Sequence, residues 1–406
     1  MIRVRPFRAW RPAAWTAHLV GSRSFLTYSP EQLRDKLAGN PYSFLQVVHA
    51  GHEQAEGGRA GHYDKVRLKF REFIGEGILE REARPSFYLY EQSCTAFTTL
   101  GLIGVVSVND YEEGRIKVHE HTLQAREERF TEYLEHTGIN AEPVLLAVPE
   151  GRALEARLLR LCQGTALFDF ATTDRVRHRI WRVDAPEEIE GLCGEFLRMA
   201  SLYIADGHHR SASSARLARD HQADGNDPRS WCLAYMVPAT QLHIFNFDRA
   251  VKGMNGLTPA GFIEALGQVG PVTALPRGPE AQVPMGHVHV RSHAGWHLLR
   301  LPAVTGGPAC DALDASVLSR SVLAPVLGIT DLRSDPRVRF VPGIQGVSEL
   351  DRLVDQGIAD VAFNLCALPF RDLAAVADQQ GLMPPKTTWV EPKLRSGLTI
   401  YSLEDH

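Results

Sequence analysis

An apolar run, "SLYIA", ends at Asp206-Gly207 and passes without a linker into "HHRSASSARLARD", whose spacing is helical. A glycine set between a strand and a helix lets the backbone turn where a side chain would clash, and lets a ligand approach closely. The same strand-then-helix alternation runs through most of the chain and restricts the fold to α/β or α+β. "SPEQLRDKLAG" is a helix with Ser29 as cap, Pro30 in its first turn, Gln32 completing a capping box and Gly39 at its end. "PYSFLQVVHA" reads as a strand, "DKVRLKFREFIGEGIL" as a helix and "SFYLYEQ" as a strand. "LGLIGVVSVNDYEEGRIKVHE" reads as two strands around a polar turn at 110–114. "LQAREERFTEYLEHTG" is a charged helix ending near Gly138. From residue 143 the pattern repeats, with a hairpin through Trp181 and the strands "WCLAYMVP" and "LHIFNFDRAV".

The chain has 406 residues, room for two or three domains. A composition change at "KGMNGLTP" marks the clearest boundary. The expected division is an N-terminal α/β region over 1–142, an α/β core carrying the glycine turn over 143–252, and a C-terminal α/β region over 253–406. A net charge of −4 gives no overall basic field for nucleic acid. The six cysteines contain no C-x-x-C pair, which fits neither a zinc motif nor a disulfide scaffold, so free thiols are expected. No apolar run is long enough for a signal peptide or a membrane span, and a cytoplasmic location is the expectation.

The first turn of a helix leaves backbone N–H groups unpartnered and carries partial positive charge. With a glycine before it and Arg210 inside it, this is an anion site, and phosphate is its natural guest. Asp206 stands ready to hold a metal, orient a histidine or act as a base. The plainer alternative is a capped helix whose histidines bond to backbone. Adjacent histidines point in different directions and seldom share one metal.

The turn "ADGHHR" resembles the phosphate-binding turn of the ParB–sulfiredoxin superfamily. More broadly, "PFRAWRP", "NPYSFLQV", "SFYLYEQ", "GRIKVHEHT", "HRIWRV", "YIADGHHR" and "MPPKTTWVEPKLRSGL" follow in the order of the domain-of-unknown-function 1015 family, which the chain resembles over nearly its whole length. The resemblance implies a mixed α+β fold, a ParB/sulfiredoxin-like nucleotide-binding core elaborated by additional α/β segments. It also implies binding or splitting of nucleoside triphosphates, with Gly207, His208, His209 and Arg210 matching the turn. One departure stands out. The family's "RPYDV"-like block reads "RSFLT" here, with Phe25 for its tyrosine and Leu26 for its aspartate, which puts any step that needs that carboxylate in doubt.

Two further segments carry chemistry. In "KVHEHT", His119 and His121 would share one face of a strand as a two-histidine metal half-site, with Glu120 on the other face as a general base. The alternative is a polar strand end with Thr122 capping the next helix. "MPPKTTWVEPKLRSG" supplies Lys386, Thr387, Thr388, Lys393 and Ser396, suited to phosphate oxygens or to magnesium-bound water, though a solvated loop is the commoner outcome. Arg8 and Arg11 would add to a basic pocket.

Three functions follow. The first is a nucleotide-dependent phosphotransferase acting on a small hydroxylated metabolite, free serine being the specific expectation. It would use ATP or another nucleoside triphosphate with Mg²⁺. Glu120, Asp206 and His209 would be catalytic, and Gly207, His208, Arg210, Ser211, Lys386, Thr387, Thr388 and Lys393 would hold the cofactor. The second is a nucleotide-gated binding or DNA-associated ParB-like protein. The third is a metal-dependent hydrolase built on His119, His121 and His209.

Overall fold

The Thr98–Ser107 strand is the spine of the first half of the chain, buried along all but its first residue. Its sequence, "TTLGLIGVVS", is nearly continuous in apolar residues, as expected of a strand covered on both faces. A Cβ at Gly101 would lie 2.6 Å from the Tyr235 ring, so the neighbouring strand packs there only because that residue is glycine. In this computed structural model the described residues are 1–50, 58–280 and 282–404, with Leu26 described through its backbone alone. The Leu26 side chain, where the family aspartate is replaced, therefore lies outside the described residues.

The chain forms two units, Met1–Leu242 with Pro392–His406, and His243–Glu391. The first holds a nine-stranded sheet. Its order is Ile116–Lys117, Leu202–Asp206, Val144–Val148, Trp231–Pro238, Thr98–Ser107, Phe87–Ser93, Arg177–Val183 and Phe168–Ala171, with Val4–Arg5 also on Thr98–Ser107. The sheet is mixed. Leu202–Asp206 runs parallel to Ile116–Lys117, and Trp231–Pro238 runs parallel to Val144–Val148, while the other pairs are antiparallel. The second unit has a seven-stranded antiparallel sheet in which His243–Val251 pairs with Val338–Pro342, Val361–Leu365 and Thr388–Glu391. The mixed α+β class read from the alternation is the class observed. Each unit closes over its own core, around Leu102, Leu146, Ile204 and Met236 in the first and Phe262, Val290, Leu323 and Phe363 in the second.

Ser29 caps the Pro30–Gly39 helix in a full capping box, and Gly138 ends the Gln124–Thr137 helix in the left-handed region, as the sequence indicates. Two segments differ. "PYSFLQVVHA" is not a strand: Leu45–Val48 is a short helix, and Phe44, Leu45 and Val47 are buried. A short apolar run has no period of its own, and here the core decides its conformation. The polar turn at 110–114 is mostly a helical turn, Val108–Glu112, nucleated around buried Asp110, which accepts from the Arg3 amide and from Arg115. All six cysteines are free. Among the described residues no helix is long and apolar enough to cross a membrane.

Candidate functional site

The Leu202–Asp206 strand ends with a register shift between Ile204 and Asp206, and Gly207 follows at φ +105°. Few L residues adopt that backbone. A Cβ there would also lie 3.0 Å from Nε and Nη2 of Arg210. The His208–Asp220 helix begins at once. The Gly207 carbonyl accepts from the Arg210 and Ser211 amides, and among the described residues no side chain caps the first turn. The earlier amides are the ones a helix start leaves without intrahelical acceptors. Ser211, Ala212, Ser213, Ser214 and Ala215 are all buried. These small side chains let the helix lie against Gln124–Thr137, where Ser213 donates to the Glu127 carbonyl at 3.1 Å and Thr131 to the Ser213 carbonyl at 3.3 Å.

His208 is a buried pivot. Its Nε2 accepts from the His119 amide at 3.4 Å, and its Nδ1 lies 3.7 Å from Oε2 of Glu120. With Nε2 accepting, the proton sits on Nδ1, facing the carboxylate. Burial, with help from His209 and Arg210, pushes the imidazole down to about 4 against the pull of Asp206. The buried His119 ring stands edge-on to it at 4.5 Å between centroids. Among the described residues, neither ring nitrogen of His119 has a hydrogen-bond partner, and neither does Nδ1 of His209. Burial pushes both imidazoles below their ordinary range, with His208 adding to the effect on His119 and Arg126 to that on His209.

The other side of the turn is an ion cluster. Asp206 accepts from Nη2 of Arg210 at 2.8 Å and from Nζ of Lys393 at 3.4 Å. Burial opposes its charge, but Lys393, Arg210 and His208 together outweigh burial and hold the carboxyl below its ordinary range. Arg210 is itself committed to protein groups. Its Nη1 donates to the Pro143 carbonyl at 2.7 Å and lies 3.8 Å from Glu142. The expected phosphate fork is thus folded back onto the turn. Lys393 arrives on the Pro392–His406 segment. Beside it Arg395 pairs with Asp174 at 2.5 Å, Arg23 pairs with the same Asp174 oxygen at 2.6 Å, and Ser396 donates to Glu142 at 2.8 Å. Burial works against Asp174 too, yet Thr172, Arg395 and Arg23 bring it down to about 2.

The sequence-derived set is therefore brought together only in part. Glu120, Asp206, Gly207, His208, His209, Arg210 and Lys393 meet around one strand end, with His119 beneath and Ser211 buried in the first turn. His121 does not join His119. The strand stops at Ile116–Lys117, so the two do not share a strand face, and His121 is exposed where His119 is buried. Among the described residues no group of three or more His, Cys, Asp or Glu is arranged to hold a metal. Lys386, Thr387 and Thr388 belong to the second unit. There Nζ of Lys386 lies 5.3 Å over the Phe247 ring, Thr387 donates to the Pro384 carbonyl and Thr388 pairs with Asn246. Arg8 donates to the Glu82 carbonyl and Arg11 binds the Glu80 and Glu82 carboxylates. The sequence pattern does not single out Glu142, Asp174, Arg23 or Arg395. Only the basic run around Arg395 hinted at them.

Comparison with known proteins gives a distant structural likeness. A free serine kinase variant in complex with AMP matches at 14% identity and a TM-score of 0.39, over 73% of this chain and 90% of that one. A conserved hypothetical protein from Pyrococcus furiosus matches at 16% identity and 0.38, over 74% and 95%. C-terminally truncated SbnI from Staphylococcus aureus matches at 14% and 0.39, over 75% and 90%. No curated protein matches significantly. The model of the family described as "Protein of unknown function (DUF1015)" matches residues 4–316, more than half of the chain, and the chain belongs to that family.

Proposed function

We propose that the first unit binds the phosphates of a nucleotide at the Gly207 turn and transfers a phosphoryl group to a small hydroxylated metabolite. The observation that carries this reading is a helix start led by a left-handed glycine, with no side-chain cap among the described residues, above a buried His119 whose two ring nitrogens have no hydrogen-bond partner among those residues. First-turn amides and helix polarity favour an anion there, and Lys393 adds a cation beside it. The ParB–sulfiredoxin resemblance of "ADGHHR" points the same way. Lys386, Thr387 and Thr388 are not needed for it.

In transfer, the acceptor's hydroxyl oxygen bonds to the terminal phosphorus and the bridging oxygen leaves with the diphosphate. The hydroxyl proton passes to a carboxylate. Glu120 suits that role better than Asp206, because Lys393 and Arg210 hold Asp206 ionised and so make it a weaker base. His209 would hydrogen-bond a phosphate oxygen. Magnesium binds through one or two carboxylates and phosphate oxygens rather than an all-protein cage, so Asp206 would hold it beside the nucleotide while Glu120 serves as the base. Bound with the nucleotide, the ion would offset charge on the transferring group.

The test is thermal denaturation with ATP, ADP and CTP, each with Mg²⁺. Ligand at a hundred times its dissociation constant adds about 2.7 kcal/mol of stability. We expect the parent to be stabilised and Lys393→Met to lose most of the effect; a parent indifferent to every nucleotide ends the reading. Serine with ATP should then give phosphoserine, followed by ³¹P NMR. Nucleotide hydrolysis with no product from serine or other small alcohols would exclude the kinase form.

A further inference from the structure

The Pro392–His406 segment lies beyond the matched residues 4–316, yet it returns to the first unit and ends at the candidate site. Lys393 reaches Asp206 across 187 residues of sequence and Arg395 reaches Asp174 across 221. Three consecutive contacts fix this short stretch. The Ser22 and Ser396 backbones bond to each other in both directions, Ser396 holds Glu142, and the buried Arg395 guanidinium is anchored on Asp174. Lys393, by contrast, is a long side chain held at 3.4 Å and 30% exposed, so its place depends on the backbone two residues on. A flexible ammonium loses rotamer entropy when fixed, and its half-exposed pair with Asp206 adds little to hold it. Arg395 makes the stronger anchorage: it is buried, its partner is shared with Arg23, and Asp174 is further bound by Thr172. We infer that Arg395 is a positioning residue, whose bond to Asp174 sets Lys393 against Asp206 at the Gly207 turn. Its consequence for phosphate binding rests on the nucleotide reading above; the positioning itself does not.

Two measurements separate the two. The first is acylation of Lys393 by an N-hydroxysuccinimide ester, followed by mass spectrometry on the full chain without nucleotide. In Arg395→Met the Lys393 rate should rise about threefold, the ratio of full to 30% exposure once the stretch opens locally. Asp174→Asn cuts the same bond from the other side and should do the same, which covers a failure of Arg395→Met to fold. Arg395→Lys should recover part of the protection. Arg291→Met breaks ion pairs with Asp351 and Asp355 in the second unit and should leave Lys393 at the parental rate. The second measurement is ATP-induced stabilisation, which Arg395→Met should lose along with Lys393→Met. Parental labelling of Lys393 in both Arg395→Met and Asp174→Asn overturns the inference. A parent that ignores nucleotides, with Lys393 still unmasked in Arg395→Met, overturns the nucleotide reading and leaves the positioning intact.

Discussion

Gly207 carries the geometry of the turn and no charge, so its replacement tests shape alone. At φ +105° an alanine is strained by about 1–3 kcal/mol, and its Cβ meets Arg210 at 3.0 Å. Gly207→Ala should lower the melting temperature by several degrees, since a domain of this size loses about 2–4 °C per kcal/mol. It should also abolish nucleotide stabilisation; a variant that melts lower but still responds fully to ATP would place the ligand elsewhere. The buried histidines set a pH dependence. His178 donates to or accepts from Tyr90 at 2.7 Å and Thr172 at 3.2 Å, and burial, then Arg395, pushes it down to about 3 from an ordinary 6.5. Between those values the unfolded chain carries a proton that the folded chain refuses. Stability therefore falls as pH drops through that window, by about 1.4 kcal/mol per pH unit for one proton. Asp248, in the second unit, runs the other way. Burial lifts it to about 6 from 3.8, despite bonds from the Leu365 amide and Asn364, so the folded chain takes up the extra proton and gains stability as pH falls from 6 to 4. In denaturant titrations between pH 4 and 6.5, His178→Gln should flatten the loss of stability on acidification and Asp248→Asn should steepen it. Equal slopes for both variants would refute these assignments.

Among the elements, the contact between the His208–Asp220 and Gln124–Thr137 helices holds the turn in place. Ser213 is fully buried in it and donates to the Glu127 and His209 carbonyls. Ser213→Ala removes hydrogen bonds but no volume and should cost about 1 kcal/mol. Ser213→Leu must part the helices, costing about 1–3 kcal/mol from overpacking, and should also weaken nucleotide binding because His208 and His209 move with the helix. Equal losses in the two variants, measured by urea denaturation, would mean that close approach is unimportant here. Elements of this kind were legible in the sequence because their signals are local. The Ser29 box, the Gly138 stop and the strand–glycine–helix turn each lie within a few residues. Leu45–Val48 was not legible, because Phe44 and Val47 take their conformation from the core they join. Nor was "KVHEHT", whose strand pairing ends two residues before His119. The candidate site divides along the same line. Its turn is written in one stretch, whereas Lys393 on Asp206 and Arg395 on Asp174 are contacts across some two hundred residues. The loop that looked continuous from Lys386 to Ser396 is cut by a unit boundary that no local composition marks.

For the whole chain, the return of the last residues to the first unit has an energetic weight that can be set against total stability. Leu398 and Ile400 are buried within the first unit, and burying a side chain of that size contributes about 1.5–3 kcal/mol. The segment adds the Trp10–Ile400 bridge, pairing of Tyr401 with Asn140, and a hydrogen bond from the Tyr401 hydroxyl to the Pro228 carbonyl at 2.8 Å. The buried Arg395–Asp174 bond comes on top, and losing one partner of such a pair leaves the other charge uncompensated. Together these contacts amount to about 5 kcal/mol or more, comparable with the roughly 5–15 kcal/mol that holds a typical domain folded. Deleting residues 392–406 should therefore cost far more than its fifteen residues suggest, and the cost should be uneven. None of these contacts lies in the sheet around His243–Val251. Hydrogen exchange on the truncated chain should show lost protection in Thr98–Ser107 and Trp231–Pro238, with Val361–Leu365 still protected. Protection retained in the first sheet would mean that the segment supplies only Lys393 and Arg395 to the site, and that the first unit's stability resides in the sheet alone.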